Sequence, residues 1–192
     1  MKTTYIVSGF MRTGTSMMMQ ALSEGGLEPA YNPVRDKMNK DFGDDYYQPN
    51  PGGFYELTRQ DYRQPGFPRQ FEGKLIKCLF GGLPRIAVGD YKVVFMMRDP
   101  EEIRQSYESF FNKSAPPILS QYDQIMKDSI DMLKNRKDTE VIVFEYRKVV
   151  EDPLEHFRIL KRNEWDIDVN KAAASVNPEL CRYRLEELTV GI

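Results

Sequence analysis

GFMRTGTSMM, residues 9–18, follows the apolar stretch Tyr5-Ile6-Val7 and decides how the rest of the chain is read. Gly9 and Gly14 stand with four residues between them, the glycine spacing of a loop that wraps phosphate between a strand and a helix. Such a loop holds anions because successive backbone N–H groups point inward and the following helix adds partial positive charge. Glycine allows backbone turns and close approaches that a side chain obstructs. Arg12 brings a guanidinium that can fork onto an oxyanion, and Thr13, Thr15 and Ser16 bring hydroxyl donors. Thr15, however, occupies the place where a nucleoside-triphosphatase loop carries the lysine that reaches the β- and γ-phosphates. A ligand that offers the loop a single phosphate has no use for that lysine. Taken alone, the stretch also reads as a plain strand-to-helix turn with two glycines.

Outward from the loop, apolar runs at residues 4–8, 75–79, 92–97 and 140–145 read as strands. Their apolar character is continuous rather than alternating, which predicts a parallel sheet covered on both faces. Helical segments lie between them. The expected fold class is therefore α/β, three-layer, with a mainly parallel central sheet flanked by helices. One helix begins near Thr15. A second is announced by Asp99-Pro100-Glu101-Glu102, a cap, a first-turn proline and a capping-box glutamate, and runs to about Phe111. A third spans 117–135, with Ile118, Tyr122, Ile125, Met126, Ile130 and Leu133 near one face, and a fourth starts at Asp152-Pro153. Residues 32–70 show little periodicity and several prolines, the mark of either a functional lid or a disordered segment.

The bulk properties set the limits. With 192 residues the chain is read as a single domain, 1–192, with 32–70 as its irregular segment. At 41% hydrophobic and 29% charged residues it is an ordinary globular composition, not a disordered one. A formal charge of -2 excludes a global attraction to nucleic acid or anionic membrane, so any anion site must be local. No stretch reaches the ~20 apolar residues that span a bilayer, and the first ten residues are too short an apolar run for a secretory signal. Cys78 and Cys181 are ~100 positions apart, without metal-ligand spacing, and are read as reduced thiols in a cytoplasmic protein.

A second motif lies in KVVFMMRDPEEIRQSYESFF, residues 92–111: Arg98 at a strand end and Ser106 eight residues on, about two turns into the next helix. Both can meet one phosphate. Together the two stretches resemble the sulfotransferase family that uses 3′-phosphoadenosine 5′-phosphosulfate (PAPS). RTGTS, Arg12 to Ser16, is similar to the family's PKSGTT or PRSGTS loop, and Arg98 with Ser106 to its arginine–serine pair. NPGGFYE (50–56), GKLIKCL, FGGLP, YKVVFMMRD, VIVFEYRKVVEDPLEHF and NPELCRYR (177–184) resemble, in order, further segments of the bacterial branch. The chain departs from the pattern at Phe10-Met11 and Thr13, and the glycine-rich loop that helps hold the 3′-phosphate in animal enzymes is not recognisable; Arg182 or Arg184 is the substitute to consider.

The resemblance implies a PAPS-dependent sulfotransferase, releasing adenosine 3′,5′-bisphosphate (PAP). Arg12, Thr13, Gly14, Thr15 and Ser16 would take the 5′ side of the donor, and Arg98 and Ser106 the 3′-phosphate. Transfer is expected to be in line, through a loose transition state, with charge on the leaving oxygen met by Arg12 and the loop N–H groups. No metal is implied. Glu56 is the implied general base; Lys77, at a predicted strand end, reads either as a further positive charge near the transferring group or as a plain edge residue, and His156, remote from both motifs, as a structural or surface histidine. The partner is a small-molecule or carbohydrate acceptor, with Tyr46, Tyr47, Phe54 and Tyr55 as aromatics that could stack on it; a homo-oligomer is left open. Two rivals stand beside this reading: a phosphate-loop kinase or triphosphatase, and a nucleotide-binding protein that keeps the fold without the chemistry.

Overall fold

The computed structural model describes residues 2–40 and 52–181. Strands β1 (Thr4–Gly9), β2 (Leu75–Lys77), β3 (Tyr91–Met97) and β4 (Thr139–Glu145) form a sheet in the order β2-β1-β3-β4, every neighbouring pair parallel. The helices are α1 (Thr15–Glu24), α2 (Pro33–Lys40), α3 (Pro100–Phe111), α4 (Tyr122–Lys134), α5 (Tyr146–Glu151), α6 (Pro153–Arg162) and α7 (Val169–Ala174). This is the three-layer α/β architecture expected from the sequence.

Side chains alternate across each strand, so the sheet feeds two cores. Val7, Leu75, Val94 and Met96 pack with Met18, Met19 and Leu22 of α1, Val149 of α5, and Phe157 and Leu160 of α6. Ile6, Ile76, Val93 and Phe95 pack on the opposite side with Ile103 of α3 and Met126 and Leu133 of α4. Burial on both faces explains the unbroken apolar character of β1 and β3. The same expectation fails for β4. Among the described residues it is an edge strand, and Val143 is 38% exposed.

Several boundaries differ from the sequence reading, each for a local reason. β2 ends at Lys77 rather than residue 79, because a 3-10 turn, Phe80–Arg85, follows within three residues. The helix expected at 117–135 opens as a 3-10 turn, Pro117–Gln121, before becoming α4; its tighter period takes Ile118 out of register and leaves it 39% exposed. α5 precedes the helix started by Asp152, whose side chain accepts from Glu155 N. Within 32–70, α2 is a regular element where none was expected. Its signal is Asn32-Pro33: Asn32 Oδ1 accepts from Arg35 N at 2.9 Å, and Pro33 takes the first helical position. Tyr46, Tyr47, Arg182 and Arg184 lie outside the described residues. No helix among the described residues is long and apolar enough to cross a membrane.

The chain runs from β1 through α1 to β2 on one side, while β3 lies on the other. The crevice between β1 and β3 at the carboxyl edge is thus a switch point, the place where open parallel sheets bind ligands. The glycine loop leaves β1 at that edge.

Candidate functional site

The loop is shaped by its two glycines. Gly9 has φ +140°, and a Cβ there would sit 2.5 Å from Met96 O and 2.7 Å from Thr13 Oγ1. Gly14 has φ +86°, caps α1, and leaves no room for a Cβ, which would overlap the Tyr146 ring. Thr13 is fully buried and donates its hydroxyl to Phe10 O at 2.8 Å, so its side chain braces the loop from behind. Phe10 explains the departure at that position: it is a core residue stacked on Phe80 and edge-on to Tyr122. Arg12, at φ +68°, holds a backbone conformation uncommon outside glycine.

A cavity of about 510 Å³ opens in front of the loop, and Arg12, Thr15 and Ser16 line it together with Glu56 and Lys77. Four cationic side chains, Arg12, Arg35, Lys77 and Lys113, face one carboxylate, Glu56, among the described lining residues. Phe54, Phe110 and Phe111 supply an apolar wall. A charged cluster of this sign in a concave site attracts a multiply charged anion.

Lys77 is the centre of the arrangement. It is the last residue of β2, paired with Val7 of β1, so the sheet itself carries its side chain to the loop. Its ammonium lies 2.6 Å from Glu56 Oε1 and 3.2 Å from Ser16 Oγ, and it also donates to Phe54 O. An ammonium has three donors, and these partners use all of them. Burial pushes the Lys77 pKa below the ordinary lysine range, against the opposing pull of Glu56 and Asp36. The cation absent from the loop at Thr15 is therefore restored in space by the neighbouring strand, against the loop's own serine. Sequence spacing could not show this, since 61 residues separate Lys77 from Ser16.

The second motif converges on Arg12. Arg12 Nε donates to Ser106 Oγ at 3.0 Å, Arg98 donates to Arg12 O at 3.1 Å, and the Arg12 guanidinium lies over the Phe110 ring. Ser106 is 3% exposed and does not line the cavity. Arg98 lines a separate cleft of about 400 Å³, with its guanidinium over the Tyr146 ring, 4.5 Å from the centroid. Its Nε donates to Glu102 Oε2 at 2.9 Å, and the other oxygen of Glu102 accepts from Arg147 at 2.6 Å. Asp99 caps α3 as its sequence position indicates, accepting from the N–H groups of Glu101 and Glu102. Glu102 was expected only as a capping-box residue, yet its carboxylate joins two arginines. Nothing in the spacing of Glu102 and Arg147 announces that link, because they meet only when β4 places α5 beside α3.

His156 has its Nδ1 2.7 Å from Asp152 O and packs edge-on to Phe144, away from the cavity, as a structural histidine does. Cys78 and Cys181 are both free and buried, and burial pushes the Cys78 thiol up to about 12. Phe54 reaches the cavity wall, whereas Tyr55 is part of the core beside Met18 and packs edge-on to Tyr31. Arg35, Lys113 and Phe110 are cavity residues that sequence reasoning passed over; a lone surface cation or helix phenylalanine carries no local signal.

No family model matches the chain, and no curated protein matches it. Among solved structures, an unliganded sugar kinase from a Janibacter species is similar over 94% of this chain and 98% of its own, at 14% identity and a TM-score of 0.38. At that level the likeness carries no argument about what the chain does.

Proposed function

We propose that this chain is a PAPS-dependent sulfotransferase, moving a sulfuryl group to a hydroxyl or amine of a carbohydrate or small-molecule acceptor. One observation carries the reading: of the strands that flank β1, β2 ends in Lys77 and β3 is followed at once by Arg98, both beside the glycine loop. A magnesium–triphosphate site of this architecture places a carboxylate at such a strand end. The order of motifs along the chain supports the same conclusion.

The donor set fits such a ligand. The cavity is cation-rich, Gly9 and Gly14 let the loop pack closely against β3 and Tyr146, and Ser16 presents a hydroxyl beside Lys77. Arg12, Gly14, Thr15 and Ser16 would hold the 5′ side, and Arg98 and Ser106, both bonded to Arg12, the 3′-phosphate. PAPS supplies an activated sulfuryl group whose transfer builds negative charge on the leaving oxygen. Lys77, fixed at the loop by three acceptors, and Arg12 offer positive charge for that oxygen without reorganising. Glu56 lies in the same cavity with one oxygen on Lys77, and its carboxylate is the group placed to take the acceptor's proton.

A second reading, a phosphate-loop kinase, is favoured by one observation: Lys77 restores an ammonium beside the loop serine and so removes the objection raised by Thr15. Calorimetric titration separates the two. Adenosine 3′,5′-bisphosphate should bind at micromolar concentration without magnesium and more tightly than ATP with magnesium. Binding of ATP–magnesium alone would move the kinase reading to the front.

A further inference from the structure

The turn that carries Glu56 does not hold itself in place. Gly53 has φ +112° and Tyr55 φ +57°, a non-glycine residue in the left-handed region immediately before Glu56. Gly53 takes its conformation freely, but Tyr55 stores strain, and strain of this kind persists only where surrounding contacts over-determine it. The contact that does so is Asp36, on α2. Its carboxylate is 5% exposed, and Oδ1 accepts from both Phe54 N at 2.8 Å and Tyr55 N at 2.6 Å. A Cβ on Gly53 would overlap Asp36 Oδ2, so the chain passes the carboxylate at a distance that only glycine allows.

The same turn supplies two of the three acceptors of the Lys77 ammonium: Phe54 O and the Glu56 carboxylate. Ser16 Oγ, the third, also lies 3.5 Å from Phe54 O. We propose that Asp36 is a positioning residue, which clamps the 53–56 turn so that Phe54 O and Glu56 meet Lys77 at the glycine loop. The proposal rests on the reading of Glu56 and Lys77 as the reacting pair, and adds the part that sets their geometry. α2 thereby becomes the element on which the acceptor side of the cavity is built, although no side chain of Asp36 lines that cavity.

Asp36 also contributes negative charge to the surroundings of Lys77. The groups facing that ammonium are Glu56 and Asp36, which favour its charged form, and Arg12, which disfavours it; the Tyr62 hydroxyl donates to the Lys77 carbonyl, 2.9 Å away. Removing the Asp36 charge while keeping an acceptor oxygen therefore changes Lys77 in a direction that a purely structural residue would not.

The test is the side-chain NMR titration of Lys77, in protein labelled at lysine, for the wild type and Asp36→Asn. The expected result is a midpoint at lower pH in Asp36→Asn, and a fall in turnover of about 10- to 100-fold with little change in PAP affinity. An unmoved Lys77 midpoint in a folded variant overturns the proposal. Amide hydrogen exchange in the wild type gives a check that needs no variant: the N–H groups of Phe54 and Tyr55 should both be slow, and fast exchange at both rejects the clamp. Neither NMR readout depends on the donor, so failure of PAP to bind would count against the sulfotransferase reading and leave the clamp standing.

Discussion

The cavity beside β2 and the cleft beyond β3 each hold a cation at a strand end, Lys77 in one and Arg98 in the other, and each cation faces a glutamate. The partners differ in kind. Glu56 sits on a turn, 21% exposed, in a cavity where cations outnumber carboxylates among the described lining residues. Glu102 sits on α3, 2% exposed, fixed between Arg98 and Arg147, in a cleft that Asp99, Asp123 and Glu145 also line. A carboxylate at a solvent-reached turn can exchange partners when a ligand arrives. One buried between two guanidinium groups is part of the frame, because uncovering any member leaves a desolvated charge. On the proposed reading the first region is the one arranged for chemistry, while in the second Glu102 fixes Arg98 beside Arg12 and the loop.

Four experiments break or sharpen that contrast. Glu56→Gln should lower sulfuryl transfer about 10²- to 10⁴-fold, the range of a lost general base, with PAP affinity nearly unchanged in calorimetry. Normal turnover would remove Glu56 from the mechanism. Glu102→Gln should act on the fold instead, costing about 3–5 kcal/mol in urea unfolding, since it breaks a pair in which both side chains are buried. A variant as stable as the wild type would show that the second cleft is not structural. Arg98→Ala should weaken PAP binding about 10- to 100-fold and spare adenosine 5′-monophosphate, because a charge-assisted hydrogen bond is worth about 1.5–3 kcal/mol. Equal losses for both nucleotides would leave Arg98 as a brace for Arg12 alone.

The fourth experiment concerns pH, and its sign follows from burial. Lys77 is charged below its pKa, and burial lowers that pKa in the folded protein. Transfer that needs the ammonium should hold at lower pH and decline as pH rises through the depressed value, before an ordinary lysine would titrate. The unfolded chain binds the proton more readily across that window, so the contribution of Lys77 to stability should rise with pH while the rate falls. Unfolding of wild type and Lys77→Met compared at two pH values across the alkaline limb reads the stability term. Parallel loss of rate and of that term would assign the limb to another group.

Much of the scaffold was legible before any coordinates. β1 and β3 announce themselves by continuous apolar runs because both of their faces are buried, and the start of α3 is written in Asp99-Pro100 because capping is local chemistry. β4 was legible as a strand but not as an edge, since Val141, Ile142 and Val143 look alike whether one face or two are covered. α2 was missed although Asn32-Pro33 marks it, because its sequence, PVRDKMNK, has no apolar stripe to confirm the cap. Of the site, Arg12, Thr15 and Ser16 were visible through the glycine spacing, Glu56 only through resemblance, and Lys77 only as a cation at a predicted strand end. Glu102 was visible only as a capping residue, and Asp36 and Arg147 gave no sign at all.

The sequence by itself determined the parallel α/β layering, the phosphate-type loop and the absence of its lysine, because each depends on residues that are neighbours along the chain. Only the tertiary structure decided that the missing charge is returned by Lys77, that Arg98 and Ser106 meet at Arg12, and that Asp36 holds the turn behind Glu56. Those contacts join residues 18 to 94 positions apart. They form because parallel pairing brings the ends of β1, β2 and β3 to one edge of the sheet, and a hydrogen bond is decided by distance in space, to which spacing along the chain gives no guide.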